Sequence, residues 1–286
     1  MTAAPVSAPP ETRRFLFLQG PHGPFFALLA RQLRAAGAAC WRVGFNAGDQ
    51  RFWNDRDSYI AFRGQQRDWP ETLDKILADH GITDVILYGD CRPFHAVAKE
   101  RAKEADAAVH VFEEGYLRPY WVTYERGGSN GYSALMQMSM DDIRASFAEA
   151  DRDLPEAPPH WGDMRQHIFY GALYHLHVLV FNRGYPHFQP HRDLSVAQEA
   201  RVNIGRFLRL PAVWYRRKRA SAKIRRGGFP YHLALLQLEH DSSFQEHSPF
   251  STLYEFLKAT FDGFARGAPR HHHLVVKAHP LDDGRA

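Results

Sequence analysis

Short apolar runs alternate with amphipathic stretches along the first half of the chain. Residues 14–18, Arg-Phe-Leu-Phe-Leu, are apolar at every position after the first, as in a parallel strand buried on both faces. Gln19-Gly-Pro-His-Gly-Pro24 breaks this run, and Phe25, Leu28, Leu29 and Leu33 then recur at helical spacing as far as Ala36. A second strand is expected over Cys40 to Phe45, and a helix over 70–78 with Pro70 in its first turn. A third strand follows over 84–89, a helix over 94–106 and a fourth strand over 107–112. This alternation predicts βαβ units, hence a parallel sheet with helices on both faces.

From about Met138 to Phe229 the pattern turns helical and loop-rich, with the Pro-rich break Leu154-Pro-Glu-Ala-Pro-Pro159 inside it. Strand grammar resumes at 232–238, followed by a helix over 251–266 and a strand over 273–278. The expected organisation is therefore a disordered N-terminus (1–13), a Rossmann-like lobe (14–137), a helical insertion or linker (138–230) and a partial second α/β lobe (231–286). The longest apolar run, Ile168 to Phe181, is interrupted by His175 and His177 and is too short to span a bilayer. The first residues, MTAAPVSAPPETRR, hold no apolar core of a secretory signal.

Composition adds three points. With 286 residues, 44% hydrophobic and 24% charged, the chain has the length and apolar content for two ordinary domains. Its two cysteines, Cys40 and Cys91, argue against a disulfide scaffold and fit a reducing cytosol. The net charge of +4 hides a local asymmetry, because Arg201 to Gly227 holds ten basic residues and no acid. Aromatic and apolar residues are interleaved with them. Two readings stand open, a solvated helix face or a surface for anionic phospholipid headgroups. A nucleic-acid footprint lacks any accompanying reader motif, and no nucleic-acid partner is expected.

Open parallel sheets bind ligands beyond the carboxyl ends of their strands. Residues able to do chemistry cluster at those ends. Gln19-Gly20 follows the first strand, Gly89-Asp-Cys-Arg-Pro93 the third, Glu113-Glu-Gly-Tyr-Leu-Arg-Pro119 the fourth, Asp241-Ser242 the fifth and His279-Pro280 the sixth. Neither GxGxxG nor GxxxxGK[ST] is present, so the dinucleotide and P-loop fingerprints are missing. His271-His-His273 is a poor metal site, since neighbouring residues of an extended segment point to alternate faces.

The segments QGPHGPFF, FNAGDQRFW, YGDCRPFH, FEEGYLRPYWVT, LLQLEHDSS, HSPF and KAHP occur here in the order seen in bacterial capsule polysaccharide biosynthesis proteins. The chain resembles the retaining β-Kdo transferases of that family, of the single-module type acting on the phospholipid anchor, from Phe15 to about Pro280. The resemblance implies a GT-B-like pair of Rossmann-like lobes, CMP-Kdo as donor, a phosphatidylglycerol-type lipid or Kdo-lipid as acceptor, and no metal or other cofactor. It implies a cytoplasmic protein, peripheral at the inner membrane and working with capsule assembly and export proteins. Family members continue past the His-Pro motif, so the second lobe is expected to be incomplete and turnover by this length of chain to be low. The alternative is a non-catalytic scaffold subunit of a capsule assembly and export complex.

Retention at an anomeric carbon requires two inversions, which a carboxylate nucleophile divides into two steps. Asp241 is the nucleophile candidate; capping of its own turn is the competing reading. Glu114 is the candidate acid/base, against an ion pair with Arg118 or Arg92. His279, held extended before Pro280, is placed to donate to phosphate or to the Kdo carboxylate, with Lys277 adding charge nearby. Gln19, Gly20, Asp90, Arg92, Glu113, Arg118, Gln237 and Ser242 complete the expected substrate-binding set. Arg92 and Arg118 have the geometry to clamp an anion in bidentate fashion. Asp241, Glu114 and His279 are expected to face one cleft.

Overall fold

A computed structural model describes residues 12–115, 121–150, 164–189, 196–239 and 241–279. The chain divides into two compact units, one ending at Gln189 and the other beginning at Pro190.

The first unit is built on a six-stranded sheet of β1 (Arg14–Phe17), β2 (Ala39–Gly44), β3 (Tyr59–Ala61), β4 (Asp84–Tyr88), β5 (Ala108–Glu114) and β6 (Val122–Arg126), in the order β3-β2-β1-β4-β5-β6. β1 to β5 pair in parallel and β6 joins β5 antiparallel. Its helices are α1 (Phe25–Ala35), α2 (Ala47–Arg51), α3 (Trp69–His80), α4 (Pro93–Glu104), α5 (Met140–Glu149) and α6 (Met164–Phe181). The expected α/β class, a mainly parallel sheet flanked by helices, is thus what the chain forms.

Strand alternation assigns the core. Leu16, Leu18, Val43, Val85, Leu87 and Val111 pack with Trp69 and Leu73 of α3. Phe15, Phe17, Cys40 and Ile86 point to the other face, against Phe26 and Ala30 of α1. Both faces are apolar because both are covered, as continuous hydrophobic strands require. Pro70 and Pro93 sit in the first turns of α3 and α4, where a missing N–H costs nothing. Gly81, in the left-handed region at φ +55°, ends α3.

Three features depart from expectation. β3 is only three residues long and half-covered, too short to show a period. β6 alternates exposed and half-covered residues as an edge strand does, in a stretch where no strand was expected. β5 runs on to Glu114, so Glu113 and Glu114 are strand residues paired with Thr123 and Val122, not a loop after the strand.

α6, expected within a separate helical insertion, packs on the first unit's own sheet domain. Tyr174 and Val178 are buried. The ring of Tyr174 lies where a side chain on Gly48 would be, 2.6 Å from an ideal Cβ. Just past α6, Asn182 Oδ1 accepts from Ala47 N at 2.9 Å, capping one of the N–H groups that a helix start leaves unpaired. No described helix is long and apolar enough to cross a membrane.

The second unit holds α7 (Val196–Gly227), β7 (Tyr231–Leu235), α8 (Ser242–His247), α9 (Leu253–Gly267) and β8 (His273–Lys277). β7 and β8 pair in parallel, with Tyr231 opposite His273 and Leu235 opposite Lys277. Thr252 caps α9 by accepting from Glu255 N.

Candidate functional site

In the first unit the strand order runs outward from β1 through β2 to β3 on one side, and through β4 to β5 on the other. The neighbours β1 and β4 flank the switch point at which open α/β sheets bind ligands. Gln19 follows β1 there and Arg92 follows β4. Gln19 is buried; its Oε1 accepts from Arg92 Nη1 at 3.1 Å and its Nε2 donates to the Tyr174 hydroxyl at 3.0 Å. Two expected binding residues are therefore joined across the switch point. Arg92 has the extended backbone that the following proline imposes (φ −64°, ψ 143°), which lifts its side chain off the start of α4.

Behind them lies a buried polar cluster that sequence reasoning missed. Asn46 Nδ2 donates to the Tyr174 hydroxyl at 2.7 Å, and Asn46 Oδ1 accepts from Asp49 N, capping α2. Asp49, fully buried, accepts from Phe45 N at 3.0 Å and pairs with buried Arg42 at 3.4 Å. Burial raises its carboxyl, with the Arg42 charge pulling the other way. Burial likewise raises the Tyr174 phenol, which keeps it a neutral hydroxyl at physiological pH. The signal in the sequence was FNAGDQ, an Asn with Asp three residues on at a helix start.

The other half of this edge is a carboxylate network. Asp90 is buried; Lys99 Nζ reaches it at 3.0 Å and Ser129 N donates to it at 3.2 Å. Ser129 Oγ lies 3.1 Å from Glu113 Oε1 and 3.4 Å from Asp90 Oδ1, so one hydroxyl proton serves two carboxylates. Asn130 Nδ2 donates to Glu113 Oε2 at 2.7 Å. Asn130 stands in the left-handed region at φ +53°, a position Asn tolerates better than most residues. Ser129 and Asn130 were not anticipated, although Gly127-Gly-Ser-Asn-Gly131 is a recognisable turn sequence.

The consequences for the expected roles differ by residue. Asp90 is engaged with protein donors and holds the 127–130 turn to α4. Glu113 and Glu114, adjacent in a strand, point to opposite faces; Glu113 belongs to the network and Glu114 is exposed. Gly20 and Gly23 serve close packing: a Cβ on Gly20 would meet Phe26 at 2.6 Å, and Gly23, at φ +111°, lies against Tyr170. Arg118 lies outside the described residues.

In the second unit, register places the ends of β7 and β8 side by side, so Gln237 and His279, each two residues beyond its strand, come off the same edge. Lys277 is the last residue of β8, and its carbonyl accepts from Leu236 N at 3.0 Å. Asp241 sits at the start of α8, its carbonyl accepting from Phe244 N and Gln245 N at 3.0 Å, directly before Ser242. The turn-capping reading thus describes its backbone, and the residue as a whole is half-buried. Among the described residues no group of three or more metal-ligating side chains converges.

These strand-end edges define an α/β protein with polar, chemically able residues at the carboxyl ends of its parallel strands. The chain belongs to the capsule polysaccharide biosynthesis protein family, whose pattern it matches over residues 83–286. It is 31% identical over 278 residues to the capsule polysaccharide export protein KpsS of Escherichia coli, covering 95% of this chain and 69% of that protein. It is 30% identical to the capsule polysaccharide modification protein LipB of Neisseria meningitidis serogroup B, covering 96% of this chain and 66% of that one. The chain thus spans about two thirds of the length of these relatives.

Proposed function

We propose that the protein is a retaining β-Kdo transferase that moves Kdo from CMP-Kdo to a phosphatidylglycerol-type lipid, or to Kdo already on it, at the cytoplasmic face of the inner membrane. It would work beside capsule assembly and export proteins. The reading is carried by family membership together with the placement of carboxylates, arginine and histidine at strand ends of two α/β units, read as GT-B-like.

In this reaction the Asp241 carboxylate attacks the anomeric carbon, CMP leaves, and the glycosyl-enzyme bond is then broken by the acceptor hydroxyl. Two inversions give net retention. Glu114, exposed at the end of β5, takes the acceptor proton. His279 and Lys277 place positive charge and donors against the leaving phosphate or the Kdo carboxylate, and Gln237 and Ser242 contact the donor. Arg92, oriented by Gln19, and Arg118 pair with an anionic substrate group in bidentate fashion. Asp90 and Glu113 keep the turn and strand end in shape through Ser129 and Asn130.

The test is a transfer assay with CMP-Kdo and phosphatidylglycerol-type acceptors, reading CMP release and Kdo-lipid together. Asp241→Asn is expected to lower kcat by about 10³-fold or more, as loss of a nucleophile does. His279→Ala should raise the KM for CMP-Kdo more than it lowers kcat. A folded protein that binds CMP-Kdo but yields no Kdo-lipid would replace this reading with the scaffold alternative.

A further inference from the structure

α7 has two apolar sides, and only one is covered. Taking about 100° per residue, Val202, Val213 and Ile224 fall on one side of the helix, and each is half-covered. Ile204, Phe207, Leu208, Pro211, Trp214 and Tyr215 fall on the opposite side, within an arc of about 120°. These residues are exposed: Phe207 by 72%, Leu208 by 74% and Trp214 by 62%. The larger apolar side chains therefore face away from the covered side.

Charge continues this stripe, while Arg209, Arg216 and Lys223, spaced by seven, run along the other half of the helix. Beyond Tyr215 the stripe itself turns basic, with Lys218, Arg219, Arg225 and Arg226. Lys218 Nζ lies 4.9 Å from the Trp214 ring centre, and the Arg219 guanidinium 5.9 Å from that of Tyr215. From Arg201 to Gly227 no acid offsets this charge. Trp and Tyr beside Lys and Arg, bordering an exposed apolar stripe, is the composition of a helix lying in a lipid interface. The aromatic–aliphatic stripe asks for hydrocarbon, and the basic continuation of the same side asks for anions. An anionic bilayer leaflet supplies both.

We propose that α7 is an in-plane membrane anchor. Ile204, Phe207, Leu208, Trp214 and Tyr215 enter the headgroup–acyl boundary of an anionic leaflet, and Lys218, Arg219, Arg225 and Arg226 on the same side pair with lipid phosphates. The inference deepens the proposed lipid-acceptor reading, but its test uses no sugar donor, so failure of binding and failure of transfer are read separately.

The experiment is co-sedimentation of the 286-residue chain with vesicles of phosphatidylcholine alone or of equimolar phosphatidylcholine and phosphatidylglycerol. Strong binding is expected only with phosphatidylglycerol. Lys218→Ser/Arg219→Ser/Arg226→Ser should weaken it by about 100-fold, at roughly 1 kcal/mol per charge near an anionic leaflet. Phe207→Ser/Trp214→Ser should weaken it by about tenfold or more with the charge unchanged. All five positions are exposed, and unchanged helical circular dichroism and thermal midpoint confirm the fold. In addition, brominated lipid should quench a fluorescence component that Trp214→Phe removes while binding persists. Equal binding to neutral vesicles, or full binding by either folded variant, overturns the proposal. So does the absence of quenching. Self-association or oligonucleotide binding that depends on the same residues, without vesicle binding, overturns it as well.

Discussion

Tyr174→Phe isolates the contact that fastens α6 to the sheet edge. The phenol oxygen accepts from Asn46 Nδ2 at 2.7 Å and from Gln19 Nε2 at 3.0 Å, and all three residues are buried. Phenylalanine keeps the ring and its packing on Gly48 and removes the hydroxyl, which is the acceptor for these two groups and a donor to the Asp49 carboxylate. Two buried N–H donors are then left without it, each costing about 1–3 kcal/mol if no water enters. Allowing partial relaxation, the loss is about 2–4 kcal/mol, a large fraction of the roughly 5–15 kcal/mol that holds a domain folded. For a unit of this size that lowers the thermal midpoint by roughly 5–15 °C. Calorimetry measures the shift, and a double-mutant cycle with Gln19→Ala measures the coupling, expected at about 1 kcal/mol or more. A Tyr174→Phe protein within ~0.5 kcal/mol of the parent, or strictly additive effects, would refute the view that this oxygen is a structural acceptor.

Three further outcomes follow from the same contacts. Gly48→Ala should destabilise by about 1–3 kcal/mol in urea unfolding, because its Cβ falls 2.6 Å from the Tyr174 ring; an unchanged midpoint contradicts that packing. Asn130→Ala should cost more than Asn130→Gly, since both lose the bond to Glu113 but only alanine resists φ +53°; the reverse order in thermal melts contradicts the turn geometry. Burial pushes the Asp84 carboxyl up, but hydrogen bonds from Arg13, Thr83 and His110 outweigh it and hold it below its ordinary value. The stability it adds is present above the unfolded carboxylate value of about 4 and is lost as pH falls through the lower folded value. Asp84→Asn should therefore cost more in urea unfolding at pH 7 than at pH 3, and an equal cost at both contradicts the assignment.

The sheet was legible where burial on both faces wrote continuous apolar runs, as in Phe15 to Leu18 and Val85 to Leu87. It was not legible in β3 and β6, whose residues are half-exposed and carry no apolar period. The chemistry at strand ends was visible because parallel strands send their carboxyl ends to one edge; Gln19 and Arg92 do meet there. What sequence patterns do not carry is which groups close on one another over long separations. Tyr174 reaches Asn46 and Gln19 across 128 and 155 residues, and no local spacing announces such a bond. The opposite directions of Glu113 and Glu114 depended on one boundary, since extending β5 by two residues turned a loop pair into alternating strand residues.

The account's central claim is the covalent glycosyl-enzyme at Asp241. Intact-protein mass spectrometry after incubation with CMP-Kdo and no acceptor, followed by peptide mapping, reads it directly. The account predicts a mass increase of one Kdo residue that maps to Asp241, disappears in Asp241→Asn and is discharged when the lipid acceptor is added. An adduct on Glu113 or Glu114, or an Asp241→Asn protein that transfers Kdo as fast as the parent, would contradict it.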